Sequence, residues 1–443
     1  MDSNVTTGVA AGSADESVLA GAYAKAVWRI LPLLLIVYGL GYIDRLNVSF
    51  AQLSMKEKLG FSDAIYGLGA GIFFISYFIF EIPSNLILAR FGARKTISWI
   101  MALWGFASMA TALITTPMQF YAIRFLLGIF EAGVWPGIVL YLGYWFPASR
   151  KGATLALLLT SGLVASMISG PLSGWILQSW DGVEGLANWQ WLFILEGIPS
   201  VAFAFITYFM LTDRPNDAKW LTAAEQQAMN KKLADDEAIK AANAAMAGKS
   251  IFLDPLVYVL GFGIFGVLCG YYAVTFWTPT IIKATGVTNM FYVGLYAVIP
   301  NVVAMAAMVL NARHSDKTLE RGWHFAIPLT LSALGLALSA MQPDSLLFSI
   351  LALSLALAGV MGAFPTFWAI ATTYLPAPVA AVGVALINTV GATGGFVSPY
   401  VVGAIKTNTG SLLYAFIPIL AVMVLASITT LVFVPKGVLR RSA

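Results

Sequence analysis

The chain has 443 residues, of which 59% are hydrophobic and 10% charged, with a formal net charge of +4 and a mean hydropathy of +0.82. A water-soluble fold cannot hide that much apolar surface, so the composition excludes soluble globular classes and points to a polytopic membrane protein. A single cysteine, Cys269, excludes disulfides within the chain and cysteine-rich metal sites.

The first 26 residues carry Asp2, Asp15 and Glu16 among small polar residues and lack the basic-then-apolar order of a cleaved signal peptide. They predict a disordered cytoplasmic tail. From Val27 to Val434, apolar windows of about 20 residues recur, the length that crosses roughly 30 Å of hydrocarbon at 1.5 Å per residue. Helices must carry them, because backbone groups in lipid have to bond within their own segment. The predicted spans are 27–54, 63–90, 93–114, 117–146, 149–179, 189–212, 253–283, 288–311, 322–341, 345–372, 376–407 and 410–434. The polar segment 213–252, rich in Ala, Lys, Asp and Glu, predicts a cytoplasmic linker with a surface helix around Ala223 to Ala245. It separates two sets of six spans, 27–212 and 253–434, and residues 435–443 form a second cytoplasmic tail. The expected fold class is an all-α membrane protein of twelve helices in two six-helix bundles, with a substrate site between them near the midplane.

With both termini inside, 19 of the 25 basic residues fall on the cytoplasmic side, and four, Lys56, Lys58, Lys283 and Lys406, fall outside. Leaving out the long linker reduces the count to 13 against 4, which still fixes the orientation by the positive-inside rule.

Ionised side chains are costly in a bilayer unless they face a partner or a water-filled cavity, so intramembrane charges are functional candidates. They are Asp44, Arg45, Glu81, Arg124, Glu131 and Glu196. Arg45 on span one and Arg124 on span four fall in the outer half of the membrane, where two guanidinium groups can clamp a carboxylate through paired hydrogen bonds. The alternative is that they pair with Asp44 or Glu131 to hold helices together. Glu131 follows Arg124 by seven residues, two turns on the same face and about 10 Å deeper. That spacing suits a proton site beneath an anion site, with Asp44 as the second candidate. Glu81 and Glu196 read as acids that satisfy exposed backbone groups or pair with loop arginines. His314 and His324 flank a cytoplasmic loop and make no metal site. No nucleophile–base arrangement, phosphate-binding glycine loop or nucleotide motif is present, which predicts no enzyme chemistry, cofactor, metal or ATP coupling and no nucleic-acid partner.

The run from Pro83 to Lys95 resembles the signature loop of the major facilitator superfamily, with Asn85 and Ala89 where the general form has Gly and Asp. The matching loop at 311–317 keeps the acid as Asp316, which implies a one-sided cytoplasmic latch in which Asp316 acts with Arg90 and Arg94. The run from Arg124 to Gly133, with Tyr42, Asp44, Arg45 and Asn47 on span one, resembles the anion:cation symporter branch. So do Tyr144 to Pro147, Asn188 to Gly197, Ala385 to Thr389 and Gly394 to Phe396. Within that branch the chain is similar to bacterial tartrate, phthalate and hydroxyphenylacetate transporters. The resemblance implies import of a small organic anion by proton symport across the bacterial inner membrane, by a monomer in the lipid bilayer. It also implies Tyr42, Tyr77, Trp368 and Asn388 as substrate contacts. A facilitative uniporter or an anion exchanger on the same scaffold is the competing expectation.

Overall fold

The computed structural model describes residues 4–245, 249–341, 344–375 and 379–440. Twelve of its helices are long and apolar enough to cross a membrane: Ser17–Leu59, Asp63–Phe91, Ala93–Leu113, Pro117–Gly143, Arg150–Ser179, Asn188–Met210, Pro255–Ala284, Met290–Thr318, Gly322–Ser339, Leu346–Tyr374, Val382–Thr409 and Leu412–Phe433. We number them as spans one to twelve. They form the two six-helix bundles expected. Residues 376–378, where span eleven was expected to begin, lie outside the described residues.

Polar side chains mark where the spans start. Ser62 accepts from the Ile65 amide at the head of span two, Thr116 and Gln119 form a capping box on span four, and Asp254, Ser345 and Ser411 cap spans seven, ten and twelve. Gly92, at φ 88°, makes the tight turn between spans two and three, a backbone shape that a side chain would strain. Three spans are broken near mid-membrane: span four after Glu131, span eight at Ala297 and span eleven at Thr393. Pro136 and Pro300 lie four residues after Ala132 and Tyr296, whose carbonyls their rings crowd, which accounts for the first two breaks.

The first expected tail is corrected by the structure. Helix runs continuously from Asn4 to Leu59, so residues 4–26 are helical rather than disordered. Ala22, Tyr23 and Ala26 are buried, Tyr23 stacks on Phe146, and Arg150 lies over the Tyr23 ring, so tertiary contacts hold a segment whose composition reads as polar. The linker is also docked rather than loosely solvated. Its helix, Ala223–Ala245, is tied to span one by Lys25–Glu225 at 2.8 Å. Trp220 stacks on Trp145 with centroids 5.4 Å apart and lies beneath the Arg29 guanidinium.

The bundles meet along spans two and eleven and along spans five and eight, where glycines bring backbones together. A Cβ on Gly67 would stand 2.2 Å from the Pro399 carbonyl oxygen, and one on Gly294 would stand 1.9 Å from that of Gly170. No side chain fits at either contact.

Candidate functional site

Among the described residues, a set of hydrogen bonds and ion pairs joins the two bundles in the half of the molecule opposite the termini. Asp63 on span two accepts from Lys406 on span eleven at 3.2 Å and from Lys56 at 2.9 Å. Gln52 donates to Thr280 and to the Phe276 carbonyl, the Tyr66 hydroxyl reaches that same carbonyl, and Lys283 pairs with Glu57. On the terminal side the facing helices are apart: Ile82 and Leu86 of span two and Val382 and Asn388 of span eleven are exposed. The molecule is therefore closed on one face and open toward the face that carries its termini.

At the inner end of this opening, Arg45 of span one forms an ion pair with Glu131 of span four. The Glu131 side chain is 6% exposed and that of Arg45 is 16% exposed, so the acid is the more enclosed of the two. Gly41, one turn before Arg45, lies beside the Glu131 carboxylate; a Cβ there would stand 3.5 Å from it, an ordinary contact. Aromatic rings surround the guanidinium. Its carbon lies 5.4 Å from the Tyr42 ring, 5.3 Å from Phe73 and 5.4 Å from Tyr77, and Tyr272 of span seven reaches it from the other bundle. These faces carry negative quadrupole charge and hold a cation without neutralising it.

Arg124 is 1% exposed. Its Nε donates to the Gly69 carbonyl at 3.3 Å and its guanidinium lies over the same Phe73 ring at 5.0 Å. One terminal nitrogen, Nη2, is buried with no hydrogen-bond partner, and among the described residues no carboxylate forms an ion pair with it. The two arginines expected as a clamp thus converge on Phe73, but they are not equivalent: Arg45 is paired with Glu131 and Arg124 forms no ion pair among the described residues, while each keeps one buried nitrogen, Nε of Arg45 and Nη2 of Arg124, without a hydrogen-bond partner. A buried donor without a partner is costly, which makes Arg124 a candidate anion contact.

Asp44 does not join them. Successive helix residues point about 100° apart, so Asp44 faces the interior of the N-terminal bundle, where it accepts from Ser108 at 2.7 Å and Ser200 at 2.9 Å. Glu196 is also buried there and accepts from Ser173 at 2.7 Å. Among the described residues it pairs with no arginine, so of the two roles read from the sequence the pairing with a loop arginine is not the one seen.

The profile of the Major Facilitator Superfamily matches residues 34–399. The chain belongs to the Major Facilitator Superfamily. A protein of Agrobacterium vitis named "Putative tartrate transporter" is 42% identical over 92% of this chain and 93% of its own. The "Putative metabolite transport protein NicT" of Pseudomonas putida is 41% identical over 88% and 89% of the two chains. Among solved structures, the inward open xylose transporter XylE from E. coli superposes with a TM-score of 0.74 at 15% identity, covering 92% of this chain and 96% of that one. The protein is a multi-pass membrane transporter of small organic substrates.

The signature loop of this superfamily is held differently here from the sequence expectation. Asp213, just after span six, accepts from the Arg94 amide at 2.8 Å and lies against Gly92, so it caps the positive end of span three in place of the acid missing at Ala89. Arg94 lies over Tyr208, and Arg90 lies over its neighbour Phe91. Asp316 is largely exposed, 3.6 Å from Arg321 in its own bundle. In this open conformation Arg90, Arg94 and Asp316 are not brought together. Between spans eight and nine, His314 and His324 share a 2.6 Å hydrogen bond, and Glu320 takes the other His324 nitrogen at 2.7 Å.

Of the expected substrate contacts, Tyr42 and Tyr77 line the Arg45 chamber. Trp368, packed against Phe364 and Phe367, and Asn388 stand on spans ten and eleven of the opposite wall. The sequence reading missed Phe73, Tyr38 and Trp135, which continue the aromatic lining, and the Asp63–Lys406 closure. Phe73 and Tyr38 precede Tyr77 and Tyr42 by one helical turn each, and that stripe was the available signal.

Proposed function

We propose that the protein imports a small organic carboxylate together with protons by alternating access, with both termini on the cytoplasmic side of a bacterial inner membrane. The observation that carries this reading is Arg45 paired with Glu131 beside Arg124, which has no carboxylate partner among the described residues. An anion that bridges them has to displace Glu131 from Arg45, and a carboxylate and Glu131 cannot both be charged on one guanidinium without strong like-charge repulsion. Protonation of Glu131 removes the competitor. Substrate binding and proton binding are then two halves of one event, the requirement for symport. Tyr42, Tyr77, Trp368 and Asn388 supply ring faces, hydroxyl and amide groups that orient the rest of the anion.

In the proposed cycle, Glu131 gives up its proton on the cytoplasmic side and pairs with Arg45 once substrate is released; the Arg45–Glu131 ion pair supports this reading. Named relatives include a tartrate transporter, which supports a small carboxylate as cargo. The test is uptake of tartrate, galactonate, phthalate and hydroxyphenylacetate into proteoliposomes with an imposed proton gradient. At least one acid should accumulate uphill and stop when a protonophore is added. Equilibration of an acid without accumulation, unaffected by the gradient, would assign a uniporter or exchanger instead.

A further inference from the structure

The closure opposite the termini is unbalanced in charge. One carboxylate, Asp63 of span two, holds two ammonium groups: Lys406 of span eleven at 3.2 Å and Lys56 of span one at 2.9 Å. Lys406 reaches Asp63 across the bundle interface, whereas Lys56 stands seven residues before it in the same bundle. The Lys56 side chain is 56% exposed and that of Lys406 only 13%. A second cross-bundle pair, Lys283 with Glu57 at 2.8 Å, is matched one to one, and water reaches both partners. Parting the bundles therefore affects the two partners of Asp63 unequally. Asp63 keeps Lys56. Lys406 keeps no carboxylate among the described residues, only the Trp277 ring of its own bundle, 4.5 Å from the ammonium. A ring face attracts a cation but does not cancel its charge, and an enclosed charge that loses its counter-ion is costly until another anion arrives.

The position of Lys406 adds to this. It is the one charged residue of span eleven, Val382–Thr409. The face of that span turned toward span two is marked on earlier turns by Gly395 against Phe74, Pro399 against Gly67 and Gly403 against Asp63. Steps of three and four residues stay on one face of a helix, and Lys406 follows Gly403 by three, at the outer end of the same stripe. When spans two and eleven part, this stripe becomes a wall of the opening. Lys406 then stands at its mouth, with Asn388 farther in on the same span.

We propose that Lys406 is a docking residue for the incoming anion: as the face opposite the termini opens, a substrate carboxylate takes the place of Asp63 on the Lys406 ammonium, and Asp63 stays paired with Lys56. The proposal rests on the proposed function in taking a small carboxylate as cargo and that face as external. The exchange resembles the one at Arg45, a substrate anion in place of a resident acid. It needs no proton, because Lys56 balances the charge of Asp63. A charge at a rim governs capture of a ligand more than its final affinity. Lys406 therefore sets how much external substrate is needed, and not how fast the loaded carrier turns over.

The experiment is initial downhill entry of tartrate, galactonate, phthalate and hydroxyphenylacetate into de-energised, right-side-out membrane vesicles carrying the full chain, with Lys406→Gln set against Asp63→Asn. Both substitutions remove the cross-bundle pair. If Lys406 only props the closure, both lower the half-saturating concentration, because the outer face opens more readily. Docking splits them. Asp63→Asn frees the ammonium and should lower the half-saturating concentration about two- to fivefold, the range for one partly exposed charge contact, and Lys406→Gln should raise it by a similar factor with the maximal rate kept. Lys406→Arg should keep the wild-type value, and added salt should raise the half-saturating concentration more in wild type than in Lys406→Gln. Shifts of the same sign in Lys406→Gln and Asp63→Asn, or equal salt dependence, would overturn the proposal. If Lys406→Gln does not fold, Lys406→Met, whose chain keeps the contact with Trp277, serves instead. If none of the acids enters, each is titrated against the thermal stability of Asp63→Asn and of Asp63→Asn combined with Lys406→Gln. Greater stabilisation of the single variant supports docking, and equal stabilisation overturns it. No proton gradient enters either measurement, so failure here is separable from failure of proton coupling.

Discussion

Replacing Glu131 by Gln removes the competitor for Arg45 while keeping its shape. In the wild type the incoming anion exchanges one charge-assisted contact for another at Arg45. In Glu131→Gln it exchanges a neutral hydrogen bond for a charge-assisted one. Hydrogen bonds to charged groups contribute about 1.5–3 kcal/mol and neutral ones about 0.5–1.5, so binding should gain roughly 1–1.5 kcal/mol, about tenfold in Kd. The Arg45 side chain is not fully buried and keeps three aromatic faces, so losing its counter-ion costs less than the ~3–5 kcal/mol of breaking a fully buried pair. The assay is the thermal shift of purified protein with whichever of the four acids stabilises it, titrated between about pH 5.5 and 8.5, roughly 1.5 units either side of neutrality. Wild-type affinity should fall as pH rises and Glu131 ionises. Affinity of Glu131→Gln should be flat and, at the alkaline end, about tenfold higher, and its uphill uptake should be lost while exchange persists. Equal pH slopes in the two proteins, or weaker binding in Glu131→Gln, would refute the competition argument.

Arg124→Lys should fold and yet bind about tenfold or more weakly, because a single ammonium cannot hold the Gly69 carbonyl and an anion in the fork geometry of the guanidinium; a wild-type thermal shift with substrate would contradict this. Asp63→Asn should loosen the face opposite the termini by about 1–3 kcal/mol, since Asp63 is the shared acceptor for Lys56 and Lys406. Distances between spin labels on that face of spans two and eleven should broaden toward longer values, and an unchanged distribution would remove Asp63 from the closure. Hydrogen bonds from Lys25 and then from the Thr222 amide hold the Glu225 carboxyl below its ordinary value. A depressed folded value contributes stability above the unfolded value that is lost as pH falls through the folded one. Docking of the linker helix should therefore weaken in acid below the ordinary glutamate range, seen as faster proteolysis of residues 223–245, and Lys25→Ala should show that faster cleavage already at neutral pH.

The spans and the 6+6 division were legible because lipid admits few solutions: each apolar run had to be a helix. Arg45, Arg124 and Glu131 stood out for the same reason, as charges where charge is costly. What the sequence concealed was direction. Asp44 and Arg45 are adjacent in the chain yet point into different compartments, and a span apolar on every side gives no pattern from which to read that rotation. Lys56 and Lys406 entered the sequence reading only as basic residues on the outer side, and Asp63 drew no notice, because the Lys406–Asp63 pair joins residues 343 apart. Asp213 looked like the first residue of the linker, and only its approach to Gly92 reveals it as the cap of span three. The first turns of span one were misread as a tail, because Ala22, Tyr23 and Ala26 gain their partners only when Phe146 and Arg150 arrive from later in the chain.

The most direct test of competition between substrate and Glu131 is the proton balance of binding itself. In weakly buffered solution with a pH indicator, adding the stabilising acid to purified wild-type protein near neutral pH should draw protons from the medium as Arg45 changes partner, and Glu131→Gln should draw none. Binding with no proton uptake in the wild type, or with the same uptake in Glu131→Gln, would contradict the account.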